Sequence, residues 1–201
     1  MDVLYGISAS AGLSEGRSVA YFEPDLDIKS RPVNDIGEEE ARLLAALNAS
    51  ISELVEIKER MRSGAGDEFA HIFRSQQTIV EDETLVAEIR ETIRSQEVSA
   101  EQAVKLVFES YIALFDELGD DDYNKARVAD LSDVYKRVLK QLLGVESRDL
   151  TRLPAGSIVV SEDLLPSDTA MMDRTCVAGF VTSRGGMTSH VAILAKSLGI
   201  P

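Results

Sequence analysis

The sequence predicts an α/β unit whose chain is interrupted by an inserted, all-α block of four helices. Short β-rich runs fall near the two ends, Arg17 to Phe22 on one side and Ser157 to Ser161 and Val177 to Thr182 on the other. Between them, from Asp35 onward, apolar residues recur at three- and four-residue spacing. The charge divides at nearly the same places. Residues 1–34 carry a net −2, residues 35–147 a net −12, and residues 148–201 are balanced. The expected organisation is residues 1–34 with 145–201 as the α/β domain and residues 35–144 as the helical subdomain.

Each element has its own signal. Pro24 and Pro32 bracket a loop after the first strand. Ile36, Leu43, Leu47, Ile51 and Leu54 mark a first helix, which Gly64 and Gly66 interrupt. A second run starts near Asp67 and continues through Phe73, Ile79, Val80, Val86, Ile89 and Ile93. Ser99 with Gln102 forms a capping box ahead of a third helix, whose expected apolar stripe is Ala103, Leu106, Val107, Tyr111, Leu114, Phe115 and Leu118. After the turn at Gly119 to Asp122, a fourth helix runs through Leu131, Val134 and Val138 to its stop at Gly144. Pro166 to Thr169 open a short helix reaching about Met172. The Gly185-Gly186 turn precedes a last helix from Ser189 to Leu198.

Composition excludes several functions. With 44% hydrophobic and 28% charged residues in 201, the chain is globular. A net charge of −14 argues against nucleic acid and against anionic lipid, both of which need a basic footprint. No uncharged apolar run approaches the ~18 residues of a spanning helix, and the first residues lack the features of a signal peptide. The single cysteine, Cys176, allows no internal disulfide and fits a reducing, cytoplasmic setting. The acidity of the middle block is either ordinary solvated helix surface or a steering surface for a basic partner.

Two histidines are present, His71 and His190. His71 reads as a surface or boundary residue of the second helix. His190 lies in Arg184-Gly185-Gly186-Met187-Thr188-Ser189-His190-Val191-Ala192-Ile193, where a strand end passes through a glycine turn into hydroxyl residues that cap a helix. Backbone N–H groups and the positive end of the dipole favour an anion there. The dipole assists without deciding, at about 0.3–1 kcal/mol for an exposed site. Glycine admits an incoming group that a Cβ would exclude. A neutral imidazole, with an ordinary pKa of about 6.5, is a nucleophile near pH 7. Its attack on a phosphoryl group gives a phosphohistidine reactive enough to pass the group on. No neighbouring His or Cys completes a zinc site, and no Lys completes a P-loop. Ser189 and His190, about 100° apart on a helix, do not form a dyad.

The segment resembles the phosphohistidine signature shared by enzyme I of the sugar phosphotransferase system, phosphoenolpyruvate synthase and pyruvate phosphate dikinase. The similarity to enzyme I covers most of the chain. Gly6-Ile7-Ser8-Ala9-Ser10-Ala11-Gly12 resembles that family's opening, Val80-Glu81-Asp82-Glu83-Thr84-Leu85 a segment of its helical block, and Leu164-Leu165-Pro166-Ser167-Asp168-Thr169 the stretch before its active histidine. The resemblance implies an α/β phosphohistidine domain of the swivelling type with an inserted, four-helix HPr-binding subdomain. It implies that His190 accepts phosphate from phosphoenolpyruvate through Nε2, in the full-length enzyme, and transfers it to a histidine of HPr. Thr169 would contact the imidazole or its phosphoryl group, and Gly185, Gly186, Thr188 and Ser189 would shape the loop. A hydrogen bond at Nδ1 would leave the other nitrogen to react. It further implies that the rest of the α/β domain lies outside these residues. So would a barrel holding phosphoenolpyruvate, Mg²⁺ and the partner of a homodimer, so that no cofactor is expected here.

Some residues depart from the pattern. Met187 stands where enzyme I commonly has Arg, and Arg184 is expected to supply that charge to the phosphoryl oxygens. Gln76 and Phe69 stand where some enzymes I have His and Lys, which suggests a specialised paralogue, fused to or paired with its own HPr-like domain. Phe69, Phe73, Tyr111, Phe115, Tyr123 and Tyr135 fall at helical spacing and are expected in the core, and Cys176 beside a strand. Two other readings stand beside the relay. One is a synthase- or dikinase-like phosphohistidine domain, which the helical block disfavours. The other is a non-catalytic signalling module that binds a partner through the acidic faces at Glu81 to Glu83 and Asp120 to Asp122.

Overall fold

The computed structural model describes residues 5–64, 67–119, 121–145, 150–164, 168–169, 172–173, 175–187 and 189–201. In chain order the elements are β1 (Arg17–Tyr21), α1 (Ile36–Gly64), α2 (Asp67–Val80), α3 (Glu83–Gln96), α4 (Ala100–Leu118), α5 (Asp122–Leu143), β2 (Ser157–Ser161), β3 (Val177–Thr182) and α6 (His190–Leu198). A short 3-10 turn, Leu150–Arg152, precedes β2. The chain divides into two compact units, Met1–Glu23 with Arg148–Pro201, and Pro24–Ser147.

The first unit is built on a three-stranded parallel sheet in the order β1-β2-β3. Parallel neighbours need long crossovers, and here the whole helical unit lies in sequence between β1 and β2. The register pairs Tyr21 with Ser161 and Ser161 with Thr182, so these three residues form the last row at the carboxyl edge of the sheet. Strand β2 alternates, burying Ser157, Val159 and Ser161. The core gathers Tyr21, Leu150, Leu153, Val159, Leu164, Met172, Val177, Val191 and Ile200, with Val19, Cys176, Phe180 and Leu198 packed against it. Cys176 is half-buried beside β3. Beyond α6 the chain returns along β3, where Phe180 N–H donates to the Pro201 carbonyl at 3.0 Å.

Among the described residues the helical unit contains five helices where four were expected. The run from Asp67 to Ile93 divides into α2 and α3. Asp82 adopts an extended conformation and its carboxylate accepts the Leu85 N–H at 2.9 Å, capping α3. Val80, Leu85, Ile89 and Ile93 are all buried, so apolar spacing runs across the break and conceals it. Ser99 and Asp121 likewise cap α4 and α5, accepting from the N–H groups of Gln102 and Asn124. Gly144 ends α5 in the left-handed region (φ 63°) that favours glycine.

The buried face of α4 also differs from the expected stripe. It consists of Ala100, Ala103, Val104, Val107 and Phe108, while Leu106, Leu114 and Leu118 are exposed. The second half of α4 therefore leaves the core. Phe73 is buried as expected, and Phe108 packs on Tyr135 with ring centroids 5.7 Å apart. Tyr123 is exposed instead of buried, with the Arg127 guanidinium 5.3 Å from its ring centre. The side chains of Phe69 and His71 lie outside the described residues.

Two buried polar groups organise this unit. Glu39 on α1 is buried and accepts from Arg31, from Arg42 and from the Ala100 N–H at 2.9 Å. Arg42 also donates to Glu101 and to the Leu142 carbonyl at 3.2 Å, tying α1, α4 and the end of α5 together. Burial pushes the Glu39 and Glu101 carboxyls up, but these donors and the Arg42 charge outweigh it and hold both below the usual range. The second group is Gln76, whose amide donates to Asp133 at 2.8 Å in the interior between α2 and α5. Gln76 is therefore a buried structural residue.

Candidate functional site

The expected site residues follow the carboxyl edge of the parallel sheet, which is where ligands collect in open α/β folds. Past the end of β3, the Ser183 and Arg184 N–H groups donate to the carbonyls of Ser161 and Glu162 at 3.2 and 2.8 Å. The start of the glycine loop is thereby anchored to the end of β2. Gly185 has φ +90°, and a Cβ placed there would lie 3.2 Å from Ser189 Cβ and 3.3 Å from its Oγ. The positive φ favours glycine, and the close Ser189 side chain adds to that preference. The Gly186 carbonyl accepts the Ser189 N–H at 3.0 Å, closing the turn.

Ser189 then caps α6. Its backbone is extended, and its Oγ accepts the Ala192 N–H at 3.3 Å. Val191, Ala192 and Ala195 are buried, so one face of α6 is fixed on the unit's core. From the last turn, Lys196 Nζ reaches back to the Met187 carbonyl at 3.0 Å and fastens the loop to the helix it precedes. His190 is the first residue of α6. Its side chain and the whole of Thr188 lie outside the described residues.

Arg184 and Thr169 occupy contrasting settings. Arg184 is 72% exposed and pairs with Glu162, 61% exposed, at 2.8 Å. Its charge is therefore partly matched by a surface carboxylate, in a pair of the kind worth about 0–1 kcal/mol. Thr169 is buried, next to the equally buried Asp168, and both are helical. The Thr169 carbonyl accepts the Met172 N–H at 3.4 Å. Residues Leu165 to Ser167 of the family-like stretch lie outside the described residues.

One feature of the site was missed in the sequence. Tyr21, the last residue of β1, is fully buried and its hydroxyl donates to Asp168 Oδ1 at 2.7 Å. The two residues are 147 positions apart. Only the length of β1 hinted that its final residue would reach the carboxyl edge. Among the described residues there is no cluster of three or more His, Cys, Asp or Glu side chains able to hold a metal ion, and no helix long and apolar enough to cross a membrane.

A parallel sheet with a histidine-bearing helix rising from its carboxyl edge, interrupted by a helical insertion, defines the class of protein. Residues 5–127 match the family model for the N-terminal part of PEP-utilising enzymes, and residues 153–201 match that for their mobile domain. The chain belongs to the phosphoenolpyruvate-utilising enzyme family.

Particular relatives sharpen the placement. The chain is 41% identical over 199 residues to the phosphoenolpyruvate-protein phosphotransferase of Lactococcus lactis subsp. lactis (strain IL1403), covering 99% of this chain and 35% of that protein. It is 39% identical over 201 residues to that of Bacillus subtilis (strain 168), covering 100% and 35%. Among solved structures it resembles an NMR solution structure of Enzyme I (nEIt), with a TM-score of 0.86 at 36% identity, over 99% of this chain and 81% of that one. A second likeness is to the N-terminal domain of Enzyme 1 – Nitrogen, with a TM-score of 0.66 at 27% identity, over 96% and 79%. The resemblance to the N-terminal portion of enzyme I is thus borne out. The chain spans about a third of the length of these curated relatives.

Proposed function

We propose that this chain is the phosphoryl-relay portion of a phosphotransferase, with His190 as the residue that takes and gives up the phosphate. The observation that carries this reading is the loop from Ser183 to Ser189. It is anchored to β2, turned by Gly185, closed by Gly186 and capped by Ser189, and it delivers His190 to the first turn of α6. In the step itself, the His190 Nε2 lone pair forms a bond to phosphorus. The bond from phosphorus to the donor, a carrier histidine nitrogen or the enol oxygen of phosphoenolpyruvate, breaks and the donor keeps that electron pair.

The residues around His190 contribute position and electrostatics, which dominate phosphoryl transfer. Gly185 and Gly186 leave space for the phosphoryl oxygens, and Thr169 contacts the imidazole or the group it carries. Arg184 exchanges its surface partner Glu162 for a phosphoryl oxygen, taking the place of the arginine that Met187 replaces. The partner is an HPr-type carrier. It docks on the helical unit, where Glu81, Asp82 and Glu83 are exposed and where Leu114, Leu118 and Tyr123 offer apolar surface at the α4–α5 turn. Asp82 and Asp121 also cap α3 and α5, and Asp120 lies outside the described residues. The magnesium ion implied by the family goes with the phosphoenolpyruvate site. The described residues offer no carboxylate cluster for it, and no step here runs through it.

The test is incubation with phosphorylated HPr. The expected result is an acid-labile phosphoryl label on wild-type protein that disappears in His190→Ala. A label that survives in His190→Ala overturns the assignment.

A further inference from the structure

We infer that Tyr21 is a positioning residue for phosphoryl transfer, acting through Asp168 on Thr169. This inference rests on the relay reading for the role of Thr169. Its own basis is the side-chain geometry at the carboxyl edge of the sheet.

Tyr21 closes β1 in the row it shares with Ser161 and Thr182. Its ring belongs to the unit's core, and its hydroxyl donates to Asp168 Oδ1 at 2.7 Å. Asp168 is only 6% exposed. A carboxylate withdrawn from water to that extent needs donors, and removing one leaves charge buried without its full set of hydrogen bonds. The hydrogen bond is therefore one of the contacts that hold Asp168 in place. Asp168 and Thr169 are consecutive helical residues, so their side chains project about 100° apart around the axis. Holding Asp168 in place steadies the backbone of the turn that carries Thr169. The Met172 N–H donating to the Thr169 carbonyl holds the same turn from its other end. A phenol suits the task because its reach and angle are set by a rigid ring packed in the core, which costs little side-chain entropy.

The ring's place in the core raises the alternative that the bond only stabilises the unit. Tyr21→Phe keeps the ring and removes the hydroxyl alone. The proposal expects Tyr21→Phe to slow transfer from phosphorylated HPr by about tenfold or more, as a small misplacement of a catalytic group does. It also expects a shift in the ratio of the His190 imidazole tautomers, read by ¹⁵N NMR without any phosphoryl donor, in the same direction as Thr169→Val. Asp168→Asn, which retains an acceptor for the phenol, should lose less rate than Asp168→Ala, and Asp168→Ala should be at least as slow as Tyr21→Phe. These Asp168 variants decide the matter even where Tyr21→Phe folds poorly. The double variant Tyr21→Phe/Asp168→Asn should recover thermal stability without recovering the rate.

Wild-type rate and tautomer ratio in Tyr21→Phe or Asp168→Ala, beside an impaired Thr169→Val, overturn the inference and leave the relay intact. Recovery of rate together with stability in the double variant also overturns it. A phosphoryl label that survives His190→Ala instead overturns the relay, and with it the premise on which Tyr21 is placed.

Discussion

In the helical unit the buried carboxylates Glu39 and Glu101 are met by guanidinium groups shared between helices, whereas in the α/β unit a phenol hydroxyl at the end of a strand donates to buried Asp168. Arg184, the described arginine of the candidate site, stands at the surface in a pair with an exposed glutamate. The contrast fits two tasks. A scaffold that must hold several helices in one arrangement gains from fixed charges, since each guanidinium fork constrains two elements at once. A site that accepts an anion and then releases it is served by a cation held in an exchangeable surface pair, as Arg184 is.

The largest expected effect lies in the helical unit. Arg42→Ala leaves Glu39 and Glu101 buried with fewer donors and should destabilise that unit by about 3 kcal/mol, the low end for a broken buried pair because Arg42 is partly exposed. The same change should flatten its response to acid. The folded-state pKa values of Glu39 and Glu101 are depressed, so their contribution is complete above the unfolded value of about 4.3. It fades as the pH falls through the lower folded values. Residue-resolved hydrogen exchange against pH should show the α1, α4 and α5 amides losing protection in acid in the wild type, with a weaker pH dependence in Arg42→Ala.

A smaller effect is expected at Gly185. Alanine there meets both a positive φ and the close Ser189 side chain, so Gly185→Ala should cost about 1–2 kcal/mol. It should also weaken protection of the first amides of α6 and slow phosphoryl acceptance, while the helical unit's amides stay unchanged. The smallest stability effect belongs to Arg184→Ala, which removes an exposed ion pair worth about 0–1 kcal/mol. Transfer from phosphorylated HPr should nonetheless slow several-fold. Equal losses of rate and stability would blur the distinction between the two units.

The legibility of the chain followed the same divide. Strands β2 and β3, the break at the glycine turn and the start of α6 could all be read locally, because alternation, Gly185 and the Ser189 cap are features of a few adjacent residues. The division of one expected helix into α2 and α3 was hidden because apolar spacing continues through the cap at Asp82. The outward turn of the α4 stripe was hidden too, since Leu114 and Leu118 fit helical periodicity equally well facing solvent. Tyr21 could not be tied to Asp168 from sequence, because that pairing depends on how the ends of β1 and the Asp168 turn meet in space. Ion pairs such as Arg42 with Glu101, 59 residues apart, were invisible for the same reason.

Phosphopeptide mass spectrometry after exposure to phosphorylated HPr tests the central claim most directly. The account predicts one acid-labile phosphoryl group on His190, absent from His190→Ala although that variant keeps the wild-type fold. A folded protein that carries no label, or carries it on His71 or a hydroxyl side chain, would contradict it.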